Sequence, residues 1–342
     1  MRMAFFEFLS RLDMQKKHLT VTVVSGPEAG EKAVLSEDTC VYCSKDGLLA
    51  SHLPQLRSLE GIGLTTINGQ EVFYEQLQGR PKLVICGGGH VGLALTRLCA
   101  FLKYEVTVIE DRPHFAEEAK KAGAEHVICD DFAHALRAFQ SDRGTCFVVM
   151  TRGHRYDMDC LRQVLSKPRS YVGLMASKSR TDMISQTLRS EGFSEDAVKG
   201  ICMPVGLAIG SETPEEIAVS VAAQIIQTLS AGKRRSQLPR EILKMVSGGA
   251  AGSPFVLATI IRRTGSGPRN AGTKMLISAD GQTAGTIGGG CSEAEVLRIA
   301  CQMLSDGECC RRHVINLRPA DISEEDGMAC GGQIEIFLEV VV

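Results

Sequence analysis

One short segment limits the architectures open to this chain. An apolar run, Lys82–Cys86, stops at Gly87-Gly88-Gly89-His90-Val91-Gly92, an amphipathic stretch begins at once, and a second apolar run follows at Glu105–Ile109. Strand, Gly-x-Gly-x-x-Gly turn, helix and strand in that order open a parallel β–α–β unit. In such a turn only glycine lets a pyrophosphate approach the bare N–H groups at the helix N-terminus. The alternation continues, since His126–Ile128, Cys146–Met150 and Tyr171–Leu174 read as further buried strands between helical stretches. The helix after Glu212 has the clearest start. Thr213 is its N-cap, Pro214 its first residue, and Glu216 completes a Thr-x-x-Glu capping box before Ile217–Leu229. The expected fold class is α/β, with a Rossmann-like parallel sheet over residues 81–232 that ends in the basic linker Ala231–Ser236.

The same block carries the first candidate site. Gly87, Gly89, His90 and Gly92 belong to the predicted phosphate turn, with His90 as a positioning residue rather than a metal ligand. Glu110 ends the second strand 18 residues past Gly92, where a ribose-binding carboxylate is expected. Glu110 favours NAD, whereas Arg112 could meet a 2′-phosphate, so the choice between NAD and NADP stays open. Arg152 and His154 follow the fourth strand, and loops at the carboxyl ends of parallel strands line the ligand crevice. A His beside an Arg can donate to an anion or transfer a proton. The competing readings are a scaffold that keeps its glycines for packing, and a polar loop that only caps the next helix.

The flanks look duplicated. Residues 233–342 read as a smaller α+β module: a short helix (Pro239–Val246), a strand (Phe255–Arg262), Gly-rich turns, a helix and a last strand (Gln333–Val342). Residues 1–80 read as a degenerate copy of it. Ser25-Gly-Pro-Glu-Ala-Gly-Glu-Lys32 aligns with Ser266-Gly-Pro-Arg-Asn-Ala-Gly-Thr-Lys274, and Asn68–Phe73 mirrors Gly331–Phe337. The copy is unfaithful where chemistry could live, because Arg269 becomes Glu28 and Gly288-Gly289-Gly290-Cys291 has no counterpart near Leu48–Ser51. Pairing of the two modules within one chain is expected, with pairing across a homodimer as the alternative.

In the last module Arg269 is one fixed cation in a flexible Gly265–Gly272 turn, which suits an anionic ligand. Cys291 follows Gly289 and Gly290 at a helix N-terminus, where the dipole favours thiolate although Glu293 and Glu295 oppose it. That helix shows an apolar face of Val296, Leu297, Ala300, Cys301 and Leu304. Cys330 sits beside another glycine pair, and the two thiols could converge if the strand at Gln333 folds back onto the module. Thiolates suit soft metal centres, including those held by a cofactor. Cys40 and Cys43 are a lone pair without a second pair, and the remaining cysteines read as packing.

Composition narrows the function classes. Lys and Arg (38) nearly balance Asp and Glu (40), so no long-range field draws the chain onto nucleic acid or anionic lipid. No apolar run approaches the ~18 residues of a membrane span, and the apolar stretch Met3–Leu9 is interrupted by Glu7 and lacks a cleavage site. An odd 13 Cys in so long a chain then reads as reduced thiols in a cytoplasmic protein.

Taken together these motifs resemble the XdhC/CoxI family, accessory proteins of molybdenum hydroxylases such as xanthine dehydrogenase. The matching stretches are Gly87–Leu95, Glu110–Ala116, Thr151–Asp157, Tyr171–Arg180 and Pro204–Ile226, then Gly265–Met275, Gly285–Val296 and Gly327–Phe337. Two features depart from the family pattern. The cysteine-bearing module comes last here, after a degenerate copy, and Ser292 stands where a Leu is more familiar. The resemblance implies binding of the molybdenum cofactor, help with its sulfuration by a cysteine desulfurase, and delivery to a xanthine-dehydrogenase-type hydroxylase. On that reading Cys291, with Cys330, contacts the metal or its dithiolene, Arg269 holds an anionic part, and the Gly87–Gly92 turn binds phosphate. The alternatives are an NAD(P)-dependent oxidoreductase with His154 as acid–base, and a structural subunit of the hydroxylase complex.

Overall fold

The computed structural model describes residues 2–13, 16–77, 79–230, 236, 239–248, 254–267, 269–317 and 332–341. The chain divides into two compact units. One is made of residues 1–78 and 233–342, and the other is the continuous stretch 79–232 between them.

The first unit contains two sheets of the same topology. Strands β1 (His18–Val23), β2 (Lys32–Ser36), β3 (Thr39–Cys43), β4 (Ile62–Ile67) and β5 (Gln70–Leu77) form an antiparallel sheet in the order β3-β2-β1-β5-β4. The middle unit supplies β6 (Lys82–Cys86), β7 (Glu105–Glu110), β8 (His126–Cys129), β9 (Thr145–Val149), β10 (Tyr171–Leu174) and β11 (Ile201–Cys202). After it come β12 (Phe255–Thr264), β13 (Lys274–Ser278), β14 (Thr283–Gly285), β15 (Cys310–Asn316) and β16 (Gln333–Val341), antiparallel in the order β14-β13-β12-β16-β15. Position for position this is the first sheet again.

Each of these sheets buries two faces. One face packs under its own helices. Val256, Ala258, Ile260, Met275 and Ile336 lie against Val296, Ile299, Ala300 and Met303 of the helix Cys291–Asp306. Leu19, Val21, Val23, Ala33 and Val72 lie likewise against Leu48, Leu49 and Leu56. The other faces pack on each other, through a shared cluster of Val24, Phe73, Ile261 and Phe337. Phe5, Phe6, Leu9, Ile242 and Val246 close one side of that contact with Val34, Leu77, Leu276 and Val341.

The apolar face of Cys291–Asp306 is rotated from the one read in the sequence. Ile299 and Met303 are buried with Val296 and Ala300, whereas Cys301 is exposed and Leu297 and Leu304 are only half-buried. A 3.6-residue period centred on Val296 reaches 299, 300 and 303 before 301, and the interposed Cys had masked it. Cys129 is also exposed rather than packed.

The middle unit is a parallel α/β sheet in the order β11-β10-β9-β6-β7-β8. Numbered from β6 this is the doubly wound order 3-2-1-4-5-6, with the direction of winding reversed between β6 and β9. Ligands in such sheets bind outside the carboxyl ends of the strands at that reversal. The helices His90–Phe101 and Pro214–Ser230 cover one face, and Phe132–Ala138, Asp157–Leu165 and Lys178–Ser190 the other. The capping box is formed, since Thr213 N–H donates to Glu216 Oε2 (3.0 Å) and Glu216 N–H to Thr213 Oγ1 (3.3 Å). Among the described residues no helix is long and apolar enough to cross a membrane.

Candidate functional site

Each unit carries one of the sequence-derived sites. In the middle unit, β6 runs out at Cys86 and the chain turns through Gly87, with φ +120°. A Cβ there would stand 2.4 Å from the Met150 carbonyl oxygen, and one at Gly92 would stand 2.1 Å from that of Gly87. Those two glycines are packing requirements. Gly89 differs, because nothing lies within 4 Å of where its Cβ would be, and it is the N-cap of the helix that starts at exposed His90. Gly89 therefore leaves a bare N-terminus open at the β6 end of the winding reversal.

Glu110, expected to meet a ribose, has its oxygens engaged within the protein. The side chain is fully buried, accepts the Gly88 N–H (2.6 Å), and is gripped by Arg112 through Nε (2.6 Å) and a terminal nitrogen (3.0 Å). Arg112 in turn lies over the Phe115 ring at 3.8 Å. Burial pushes the Glu110 carboxyl up, but hydrogen bonds from Arg112, Asp111 and the Gly88 N–H outweigh it and hold its pKa below the ordinary value. The carboxylate thus secures the glycine turn. With a depressed folded-state pKa, its stabilisation is complete above the unperturbed value of 4.5 and is lost as pH falls through the lower folded value. Glu110→Gln is expected to flatten the acid limb of a urea-midpoint-versus-pH profile, and an unchanged limb would remove this carboxylate from the acid response.

Across the reversal, β9 leads into Thr151–Asp157. Asp157 is fully buried, accepts the Thr151 hydroxyl (2.7 Å) and holds His154 Nδ1 at 2.8 Å. His154 has a left-handed backbone, φ +60°, which a non-glycine residue adopts at a cost of about 1–3 kcal/mol. The imidazole is thereby held at Nδ1. Arg180, from the start of the helix after β10, places a guanidinium nitrogen 3.7 Å from Asp157, and that nitrogen is buried without a hydrogen-bond partner. Arg152 is exposed. Thr151, Asp157 and Arg180 escaped the sequence reading as functional residues, although Thr and Asp six apart around a His was a usable signal.

The second site is in the last module. Strand registers put the carboxyl ends of β12, β14 and β15 and the amino ends of β13 and β16 at one end of the sheet. The Gly265–Gly272 turn with Arg269 and the Gly285–Cys291 turn both leave from that end. Arg269 is exposed and has no ion-pair partner among the described residues. Gly332 is wedged there too, since a Cβ on it would stand 2.0 Å from the Ser266 carbonyl oxygen. Cys330 lies outside the described residues.

Gly289 and Gly290 have φ of +81° and +63°, with nothing within 4 Å of either Cβ position. They deliver Cys291, exposed, as the first residue of its helix, whose N-terminus has no side-chain cap. Glu293 has a structural part in the turn that precedes the thiol. Its Oε1 accepts the Thr286 hydroxyl and the N–H groups of Ile287 (3.1 Å) and Gly289 (2.9 Å), which makes it the fastener of the turn. Burial raises the Glu293 pKa and these donors more than reverse it, for a net lowering. Glu295 is likewise engaged, with His313 Nε2 at 2.7 Å.

Two family models match this chain. The XdhC Rossmann domain covers residues 83–225, and the XdhC and CoxI family model covers 249–314. The chain belongs to the XdhC and CoxI family. Its Rossmann part is the doubly wound middle unit, and its second match includes Arg269, the Gly288–Gly290 turn and Cys291. Relatives include the Escherichia coli (strain K12) uncharacterized protein YqeB, 30% identical over 49% of this chain and 31% of that protein. A probable xanthine dehydrogenase subunit of Bacillus subtilis (strain 168) is 31% identical over 46% of each chain. The match thus spans less than half the length of either relative. A crystal structure described as a xanthine dehydrogenase from Bacillus halodurans is 25% identical, with TM-score 0.54, over 66% of this XdhC/CoxI chain and 65% of its own.

Proposed function

We propose that this chain binds the molybdenum cofactor and serves, in the cytoplasm, the maturation of a xanthine-dehydrogenase-type molybdenum hydroxylase. The observation that carries the reading is the corner at Gly289-Gly290-Cys291. Two left-handed glycines leave open space where side chains would stand, beside an exposed thiol on an uncapped helix N-terminus. That donor set fits the group, because backbone N–H groups suit its anionic oxygens and a thiol suits a soft metal or its sulfur ligands. Cys291 would hold the metal end, with Cys330 as its partner, and Arg269 would hold an anionic part. When bound, the cofactor supplies the molybdenum centre destined for the client hydroxylase. A cysteine desulfurase is the partner expected to supply sulfur. The open helix N-terminus after Gly89 would take a phosphate.

The test is to purify the protein from a host that makes the cofactor and to quantify bound molybdenum and pterin. Loading approaching one per chain is expected, with Cys291→Ser at least about tenfold lower, the scale of losing one ligand contact of about 1.4 kcal/mol or more. Metal-free, pterin-free protein that instead binds NADH at micromolar level would sink the proposal. It would favour the second reading, an NAD(P)-dependent oxidoreductase, for which the Asp157-anchored His154 supplies an acid–base group. Activation of an apo-hydroxylase by the loaded protein would exclude a purely structural role.

A further inference from the structure

The contact between the two antiparallel sheets has a symmetry that their sequences only hint at. Registers align the strands residue by residue. Thr22 pairs with Lys32 and Phe73 in the first sheet as Thr259 pairs with Lys274 and Phe337 in the second. Counting outward along the chain from these, Glu75 corresponds to Glu339, Thr20 to Leu257, and Val24 to Ile261, which stands at a β-bulge in its strand.

The buried ion pairs cross over between corresponding residues. Lys32 Nζ meets Glu339 at 2.7 Å, and Lys274 Nζ meets Glu75 at 2.5 Å, with every side chain at most 8% exposed. The cluster Val24, Phe73, Ile261 and Phe337 is likewise two residues and their two counterparts. A polar mismatch at the two glutamates obeys the same correspondence. Glu75 Oε1 accepts the Thr20 hydroxyl (3.3 Å), whereas Glu339 Oε2 is buried without a partner because Leu257 stands where Thr20 does. A surface on which i meets j while the counterpart of j meets the counterpart of i is an isologous contact, the kind made by two copies of one protein about a two-fold axis.

We infer that the first module is a built-in second protomer: its sheet occupies the surface on which the last module would bind a second copy of itself. The last module meets the requirement alone. About a two-fold axis its Lys274 would face Glu339 of the other copy, and Ile261 and Phe337 would face their own equivalents. The first module has kept Lys32, Glu75, Val24 and Phe73, which make this contact. In the turn just before the paired lysine, Arg269 is matched by Glu28, which is paired with Lys45, and the glycine turn has gone. The first copy thus carries the pairing residues and lacks the cation and the glycine-cysteine turn.

The test uses the full chain. In the double variant K32E/E75K both crossed pairs become like-charge contacts within the chain. The last module still offers Lys274 and Glu339 to a second chain. Light scattering is expected to give twice the wild-type mass. Adding K274E and E339K makes the contact complementary within the chain again, and that quadruple variant is expected to return to wild-type mass and unfolding midpoint. A double variant that stays at wild-type mass, or that forms open-ended aggregates instead of a closed pair, would overturn the inference. So would a quadruple variant that keeps the doubled mass.

Discussion

Lys274→Met is expected to lower the unfolding free energy by about 3–5 kcal/mol, the scale of stranding one member of a buried ion pair. Lys274 and Glu75 have side chains only 6% and 8% exposed. Truncating the lysine leaves a carboxylate among Phe73, Thr20 and Leu77 with only the Thr20 hydroxyl to satisfy it. No opposite charge then offsets its desolvation. The companion variant Lys274→Met with Glu75→Leu should recover most of the loss, because removing both charges also removes both desolvation costs. Urea denaturation of the two variants against wild type is the measurement. An exposed pair sets the scale: Lys17–Glu60, at 41% and 46% exposure, should change stability by less than about 1 kcal/mol when either partner is lost. A Lys274→Met midpoint as close to wild type as that control would mean the crossed pairs do not hold the sheets.

The second large effect separates glycines that look alike in sequence. Gly92→Ala should destabilise the middle unit by about 2–4 kcal/mol, since its Cβ would overlap the Gly87 carbonyl oxygen and push the helix His90–Phe101 off β6. Backbone sits on both sides of that overlap, so no side-chain rotation relieves it. Gly89→Ala meets nothing within 4 Å and should fold with stability within about 1 kcal/mol of wild type. Its methyl would occupy the open N-terminus instead, so anion binding there is the property it should lose. Thermal unfolding of both variants with and without inorganic pyrophosphate distinguishes them. Equal destabilisation by the two would contradict the division of labour.

The parallel sheet was legible because its signals are local. Of the five strands expected there, Lys82–Cys86 and Tyr171–Leu174 keep the ends read from the sequence, and the others shift by a single residue. The capping box at Thr213 is in place as its spacing predicted. Glu110 was legible as a residue and not as a role. Spacing placed it at the end of β7, but only the fold shows Arg112 and Gly88 using its oxygens. The same holds for Glu293, legible as a charge near Cys291, while only the fold shows it fastening the turn through Thr286, Ile287 and Gly289. Asp157 and Arg180 belong to elements separated by a strand, and no pattern along the chain announces that their side chains meet. The duplication was visible through Ser25–Lys32 and Ser266–Lys274. Its crossed ion pairs were not, because a residue pairing with the counterpart of its partner leaves no local mark.

The interleaving of the units also sets a timetable. β1–β5 leave the ribosome well before the sheet that covers them, which begins only at Phe255. The roughly 180 residues between Leu77 and Phe255, at about 5–20 residues per second, take about 10–35 s to make. Throughout that interval the face bearing Lys32, Phe73 and Glu75 is without its cover. A finished last module on a neighbouring nascent chain carries the same complementary surface. Dense translation of one message therefore brings exchange between chains into direct competition with closure inside each, and the middle unit is the delay that decides between them.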